Sequence, residues 1–166
     1  MGHSGDSTIW LDACESDSVN FPTFPINIAN NQWHFIAYTY NYQTNTAIAH
    51  VDSYVESITP PGALNWYQGS STAVIGACHT CGGTQPPWRG LNGLIANIQI
   101  YNTSLSSSQI QALYQEGIGG APIDLQHLVG WWPLNGNANN YSGNGNNGQA
   151  TEVTYVSNWW PGYTPP

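Results

Sequence analysis

Apolar and polar residues alternate with a period of two over several short stretches of this chain, and clusters of Gly, Pro, Asn and Ser separate them. From Leu94 to Tyr101 the residues Leu94, Ala96, Ile98 and Ile100 fall on one face and Ile95, Asn97, Gln99 and Tyr101 on the other, the pattern of a half-buried strand. That run ends at Asn102-Thr103-Ser104. Ser106 with Gln109 three positions on then reads as a capping box, Ile110, Leu113 and Tyr114 follow at helical spacing, and Gly117 stands where a C-terminal glycine belongs. One short helix after one core strand is the expectation.

Gln32 to Tyr42 predicts a strand with Trp33, Phe35, Ala37 and Thr39 on one side and His34, Ile36, Tyr38 and Tyr40 on the other. Asn41 to Asn45 turns it into a second strand, Thr46 to Tyr54, giving a hairpin. Ser7 to Leu11, Ala63 to Tyr67 and Thr72 to Ala77 read as shorter strands, whereas Phe21-Pro22-Thr23-Phe24-Pro25 cannot be a central one, because proline removes ladder donors. Gly119 to Pro122 reads as a linker. Leu128 to Leu134 then begins a new strand, and Asn135 to Gly148 is a loop whose Asn and Gly tolerate the positive φ of tight turns.

Three of these stretches resemble laminin-G-like, concanavalin A-like jelly-roll domains. Gly93, Ile95, Ile98, Tyr101, Asn102, Leu105, Ser106, Ile110, Leu113, Tyr114 and Gly117 match the strand and trailing helix that close such a domain. Asn31 to Ala37 with Ala49 to Asp52 looks like its "W-H-F-V-A … Y-V-D-G" hairpin, and Leu128 to Gly148 looks like its opening strand and loop. The resemblance implies an all-β, antiparallel jelly-roll β-sandwich with one short helix after the last core strand. It also implies that the segments stand in permuted order: residues 1–120 are the latter part of a jelly roll, and 121–166 are a linker with the opening strand and its Gly/Asn-rich loop, completing this domain or a neighbouring copy.

Three arrangements follow from that order. The chain folds its last strand onto its own sheet, or it is a piece of a tandem array, or the strand completes the sheet of a neighbouring copy and builds a polymer. The apolar strand carrying Val129, Trp131, Trp132 and Leu134 is costly to leave in water, so something covers it. The expected function is therefore a non-enzymatic extracellular structural or adhesive subunit that self-associates by C-terminal strand addition. The alternative is a carbohydrate-binding lectin-type module, monomeric or in an array, with Trp66, Tyr67 and Trp88 as exposed rings that stack on sugars.

Composition narrows the setting. Charged residues make up 6% of the 166 positions, against about 25% in a typical soluble protein, so solubility rests on neutral polar groups. One basic residue against nine carboxylates leaves a formal charge of −8, which repels a phosphate backbone and argues against nucleic acid. There is no run of eighteen apolar residues, so no membrane insertion is expected, and Met1-Gly2-His3-Ser4 has neither the basic start nor the apolar segment of a secretion signal. The sequence pI near 4.5 and the scarcity of ion pairs to lose in acid point to an extracellular or cell-surface setting, including an acidic one.

Candidate chemistry is sparse. Cys78 and Cys81 form a C-x-x-C without the second pair zinc would need, and a small disulfide is the simpler reading, with Cys14 free, buried or paired to one of them. Asp12, Glu15 and Asp17 in six residues are a calcium candidate but lack EF-hand alternation, so a solvated acidic loop is the plainer reading. His34 and His50 are candidate metal ligands if they face each other across the hairpin. In the resembled family an acidic residue precedes "xSGNG" and helps hold calcium; here Asn140 stands there. Asn140-Tyr141-Ser142 and Asn102-Thr103-Ser104 are N-glycosylation sequons at Asn140 and Asn102. Asp52 and Glu56 are the strand-borne carboxylates near the hairpin, with no paired acidic motif, and no hydrolase triad or phosphate loop appears, so catalysis is not expected.

Overall fold

The computed structural model describes residues 27–60, 74–76 and 91–156. Its elements are β1 (Ile36–Asn41), β2 (Thr46–Val51), β3 (Tyr54–Ile58), β4 (Ile98–Tyr101), α1 (Ser107–Glu116) and β5 (Leu128–Trp132). Every strand pairing is antiparallel, in one sheet of order β1-β2-β3 and one of order β4-β5. Antiparallel sheets with a single short helix are what the jelly-roll β-sandwich expectation requires. The chain divides into two compact units, Met1–Asn92 and Gly93–Pro166.

In the first unit the expected hairpin forms, with Ile36 opposite Val51 and Asn41 opposite Thr46. Its turn is tied by asparagines: Asn41 Oδ1 accepts from the Gln43 and Thr44 N–H groups, and Asn45, at φ 47°, accepts from the Tyr40 hydroxyl and donates to Pro60 O. Such residues favour turns because their short side chains bond nearby backbone and tolerate left-handed φ. Thr46 to Tyr54 is not one strand, however. Asp52 takes φ 53° and Val51 pairs with Tyr54, so the chain reverses at Asp52-Ser53 and β3 is a third strand. The central strand carries the core, with Ala47, Ala49 and Val51 fully buried. At 74–76 the expected strand is absent: Val74 and Ile75 are exposed, and Gly76, at φ 79°, accepts from the Leu91 N–H.

In the second unit the capping box is present as read. Ser106 accepts from the Gln109 N–H while the Gln109 side chain accepts from the Ser106 N–H, and Gly117 closes α1 at φ 75°. Leu105, Ile110, Leu113 and Leu128 are buried apolar residues of this unit. The strand expected over Leu94–Tyr101 starts only at Ile98, because Asn97 adopts φ 52° and leaves the strand region, and Leu94 and Ile100 are exposed rather than core. Leu134 likewise falls outside β5, at φ 62°. Gly119 to Pro122 is held in place rather than free: Gly120 and Pro122 are buried, and Gly120 O accepts from the Asn97 and Gln99 side chains at 2.8 and 3.1 Å.

Candidate functional site

β5 returns to its own chain, antiparallel to β4, with Ile98 opposite Trp132, Gln99 opposite Trp131 and Ile100 opposite Gly130. A register shift lies between Ile100 and Tyr101. Two side-chain systems surround the pair. On one face Trp131 Nε1 donates to Asn97 Oδ1 (2.9 Å), Gln99 Nε2 donates to the same oxygen (3.2 Å), and the Tyr101 hydroxyl donates to Gln99 Oε1 (2.7 Å). Burial pushes the Tyr101 phenol up; a bond from the Ile123 backbone opposes this, and the charges of Asp124 and Glu116 add to it. On the other face Trp132 folds back over Gly130, its Nε1 donating to Asn146 O at 3.0 Å.

The outer edge of β5 is covered by the loop that follows it. Leu128 O accepts from Asn144 Nδ2 (2.8 Å), and Val129 O from Ser142 Oγ, Asn144 Nδ2 and Asn146 Nδ2 (3.1–3.2 Å). Trp131 N–H donates to Asn140 Oδ1 (3.1 Å) and Trp131 O accepts from the Tyr141 N–H (2.8 Å). The rings of Trp131 and Tyr141 meet edge to face with centroids 6.2 Å apart. A loop has taken the place a further strand would occupy. The turn-forming composition of Asn135–Gly148 is legible in the sequence, but not this wiring, because it depends on residues nine or more positions apart converging.

That geometry bears on two sequence expectations. Asn140 Oδ1 also accepts from the Ser142 N–H (2.7 Å), which fixes the amide orientation, and its Nδ2 is buried with no partner. An N-linked glycan attaches at Nδ2; that atom of Asn140 is buried in the fold, whereas Asn102 is exposed just after β4. Calcium also fits poorly at this loop. It binds oxygen ligands, yet the side chain at the acidic position turns a donor inward, and Leu128 O and Val129 O already accept from amides and a hydroxyl.

The two histidines do not form a ligand pair. His34 Nδ1 lies 2.7 Å from Asp52 Oδ2 and Nε2 lies 3.0 Å from Asn30 Oδ1, so both ring nitrogens are engaged. Asp52 Oδ1 accepts from the Phe35 N–H and its own N–H donates to Phe35 O, both at 2.9 Å, which pins the approach to β1. His50 sits on β2 opposite Ala37 and Val55. Among the described residues no group of three His, Cys, Asp or Glu side chains is placed to hold a metal. Asp12, Glu15, Asp17, Trp66, Tyr67, Trp88, Cys14, Cys78 and Cys81 lie outside the described residues.

Burial lowers the pKa of His50 below its ordinary value of about 6.5. The unfolded chain then takes up a proton below about pH 6.5 that the folded chain refuses, so this group makes stability fall as pH drops through that range. It counteracts the acid tolerance expected from the scarcity of ion pairs. His50→Gln is expected to flatten the decline in urea midpoint below pH 6.5; an unchanged slope would assign the decline to other groups.

A laminin-G-type family model, described as concanavalin A-like lectin/glucanases superfamily, matches residues 3–111. The chain belongs to the concanavalin A-like lectin/glucanase superfamily. No curated protein and no solved structure matches it. For a concanavalin A-like chain the antiparallel sheets, with a single short helix among the described residues, are the all-β sandwich fold. The superfamily match ends within α1, so β5 and the asparagine loop lie beyond it. Among the described residues no helix is long and apolar enough to cross a membrane.

Proposed function

We propose that this concanavalin A-like chain is a non-enzymatic, extracellular structural or adhesive subunit that associates with copies of itself by strand addition. The observation that carries the reading is the state of the β4-β5 sheet. Two strands alone are marginal, and the outer edge of β5 is already bonded to its loop. Among the described residues β4 has no second strand partner, and Leu94 and Ile100 expose apolar surface beside it. The strand that the sequence offers for donation, with Val129, Trp131 and Trp132, is engaged within its own chain, so the edge left for a neighbouring copy is that of β4.

The chemistry supports a non-catalytic role. Glycoside hydrolysis on such a sheet needs two carboxylates at a set separation. Asp52 is committed to His34 and the Phe35 backbone, which leaves Glu56 as the other acid among residues 27–60. The superfamily's lectin members favour the second reading, a carbohydrate-binding module using Trp66, Tyr67 and Trp88.

One experiment separates the two. Sedimentation of the full chain from nanomolar to micromolar concentration is expected to show assembly, and Ile100→Lys, which places a charge beside the edge, is expected to disperse it while circular dichroism stays unchanged. A wild-type monomer that is retained on immobilised polysaccharide would sink self-association and favour the lectin reading.

A further inference from the structure

The loop 134–148 contains no carboxylate and no histidine. Its hold on β5 is built from neutral groups: the amides of Asn140, Asn144 and Asn146, the hydroxyl of Ser142 and the Tyr141 N–H. A second layer stiffens the loop itself, with the Asn140 N–H donating to Asn147 Oδ1 (2.9 Å), the Gly148 N–H to Ala138 O (2.8 Å) and the Asn139 N–H to Asn137 Oδ1 (2.8 Å). Within this closed system one atom stands out. Asn140 Nδ2 is buried and bonded to nothing, while its own Oδ1 is fully used by two N–H groups.

We propose that loop 134–148 is a metal-free clamp, in which amides fasten the outer edge of β5 without a cation, and that the Asn140 side chain is what keeps it so. An aspartate at 140 keeps Oδ1 for the Trp131 and Ser142 N–H groups. It replaces the orphaned Nδ2 with a carboxylate oxygen that finds no donor and carries charge into a buried place. An uncompensated buried charge is strongly unfavourable. In that variant alone, calcium, which tolerates irregular oxygen cages that magnesium does not, removes the penalty by taking the new carboxylate and displacing the amides that now hold Leu128 O and Val129 O. The edge is therefore one residue away from calcium dependence, and the present side chain places it on the independent side.

The test is local amide hydrogen exchange at Trp131 and Tyr141 in the full chain, with chelator and with millimolar calcium. A local readout is needed because Asp12, Glu15 and Asp17 are a separate calcium candidate. The wild-type amides are expected to be equally protected in both media. Asn140→Asp is expected to lose that protection in chelator and to regain it with calcium but not with magnesium. Wild-type amides that lose protection on chelation overturn the clamp. An Asn140→Asp chain that is indifferent to calcium, or that stays unfolded in it, overturns the assignment to this residue. Asn144→Ala supplies the control: exchange at both amides should rise equally in either medium, and a calcium-dependent rise would also overturn the clamp.

Discussion

Gly130→Ala is expected to destabilise the second unit by about 1–3 kcal/mol, the range for forcing extra volume into a packed site. A Cβ on residue 130 would sit against the far edge of the Trp132 indole. That ring cannot simply swing aside, because its Nε1 is bonded to Asn146 O, and moving it leaves both partners to find water. Thermal or urea unfolding measures the loss. Trp132→Leu in the same background removes the obstructing ring, so the two changes together should cost less than the sum of each alone. Strict additivity would mean that the glycine is not there for the tryptophan.

Asn97→Ala is expected to cost more, about 2–5 kcal/mol from two separable sources. Its φ of 52° disfavours a Cβ-bearing side chain without the local bonding of asparagine by about 1–2 kcal/mol. Its amide joins Trp131 Nε1, Gln99 Nε2 and Gly120 O, and stranding buried polar partners costs about 1–3 kcal/mol. Asn97→Gly separates the two, since it keeps the backbone freedom and removes only the amide. Unfolding free energies that are equal for the alanine and glycine variants would remove the backbone part of the argument.

These two positions also mark where the sequence was readable and where it was not. The helix was legible to the residue, because Ser106, Gln109 and Gly117 act within one turn and local chemistry decides the outcome. The β1-β2 hairpin was legible for the same reason, through alternation and an asparagine-rich turn. The reversal at Asp52-Ser53 was hidden, because Val51 and Tyr54 continue the apolar pattern and no glycine announces the positive φ. In the sequence Asn97 is one polar position in an alternating strand, yet it holds the start of that strand back to Ile98 and joins Gly120 to Trp131. Gly120 and Trp131 lie more than twenty positions away, so no window of sequence contains the reason. In the sequence Asn140 is a sequon and the neutral occupant of an acidic position. That its nitrogen is buried follows only from the loop lying along β5.

A strand edge fastened by asparagine side chains ages as those side chains do. Asn144 and Asn147 each precede a glycine, and asparagine is among the residues that heat degrades first. Hydrolysis of the Asn144 amide would set a carboxylate against the Leu128 and Val129 oxygens to which its Nδ2 now donates, turning attraction into repulsion. The working life of the second unit is then bounded by slow covalent chemistry at one side chain as well as by its folding equilibrium.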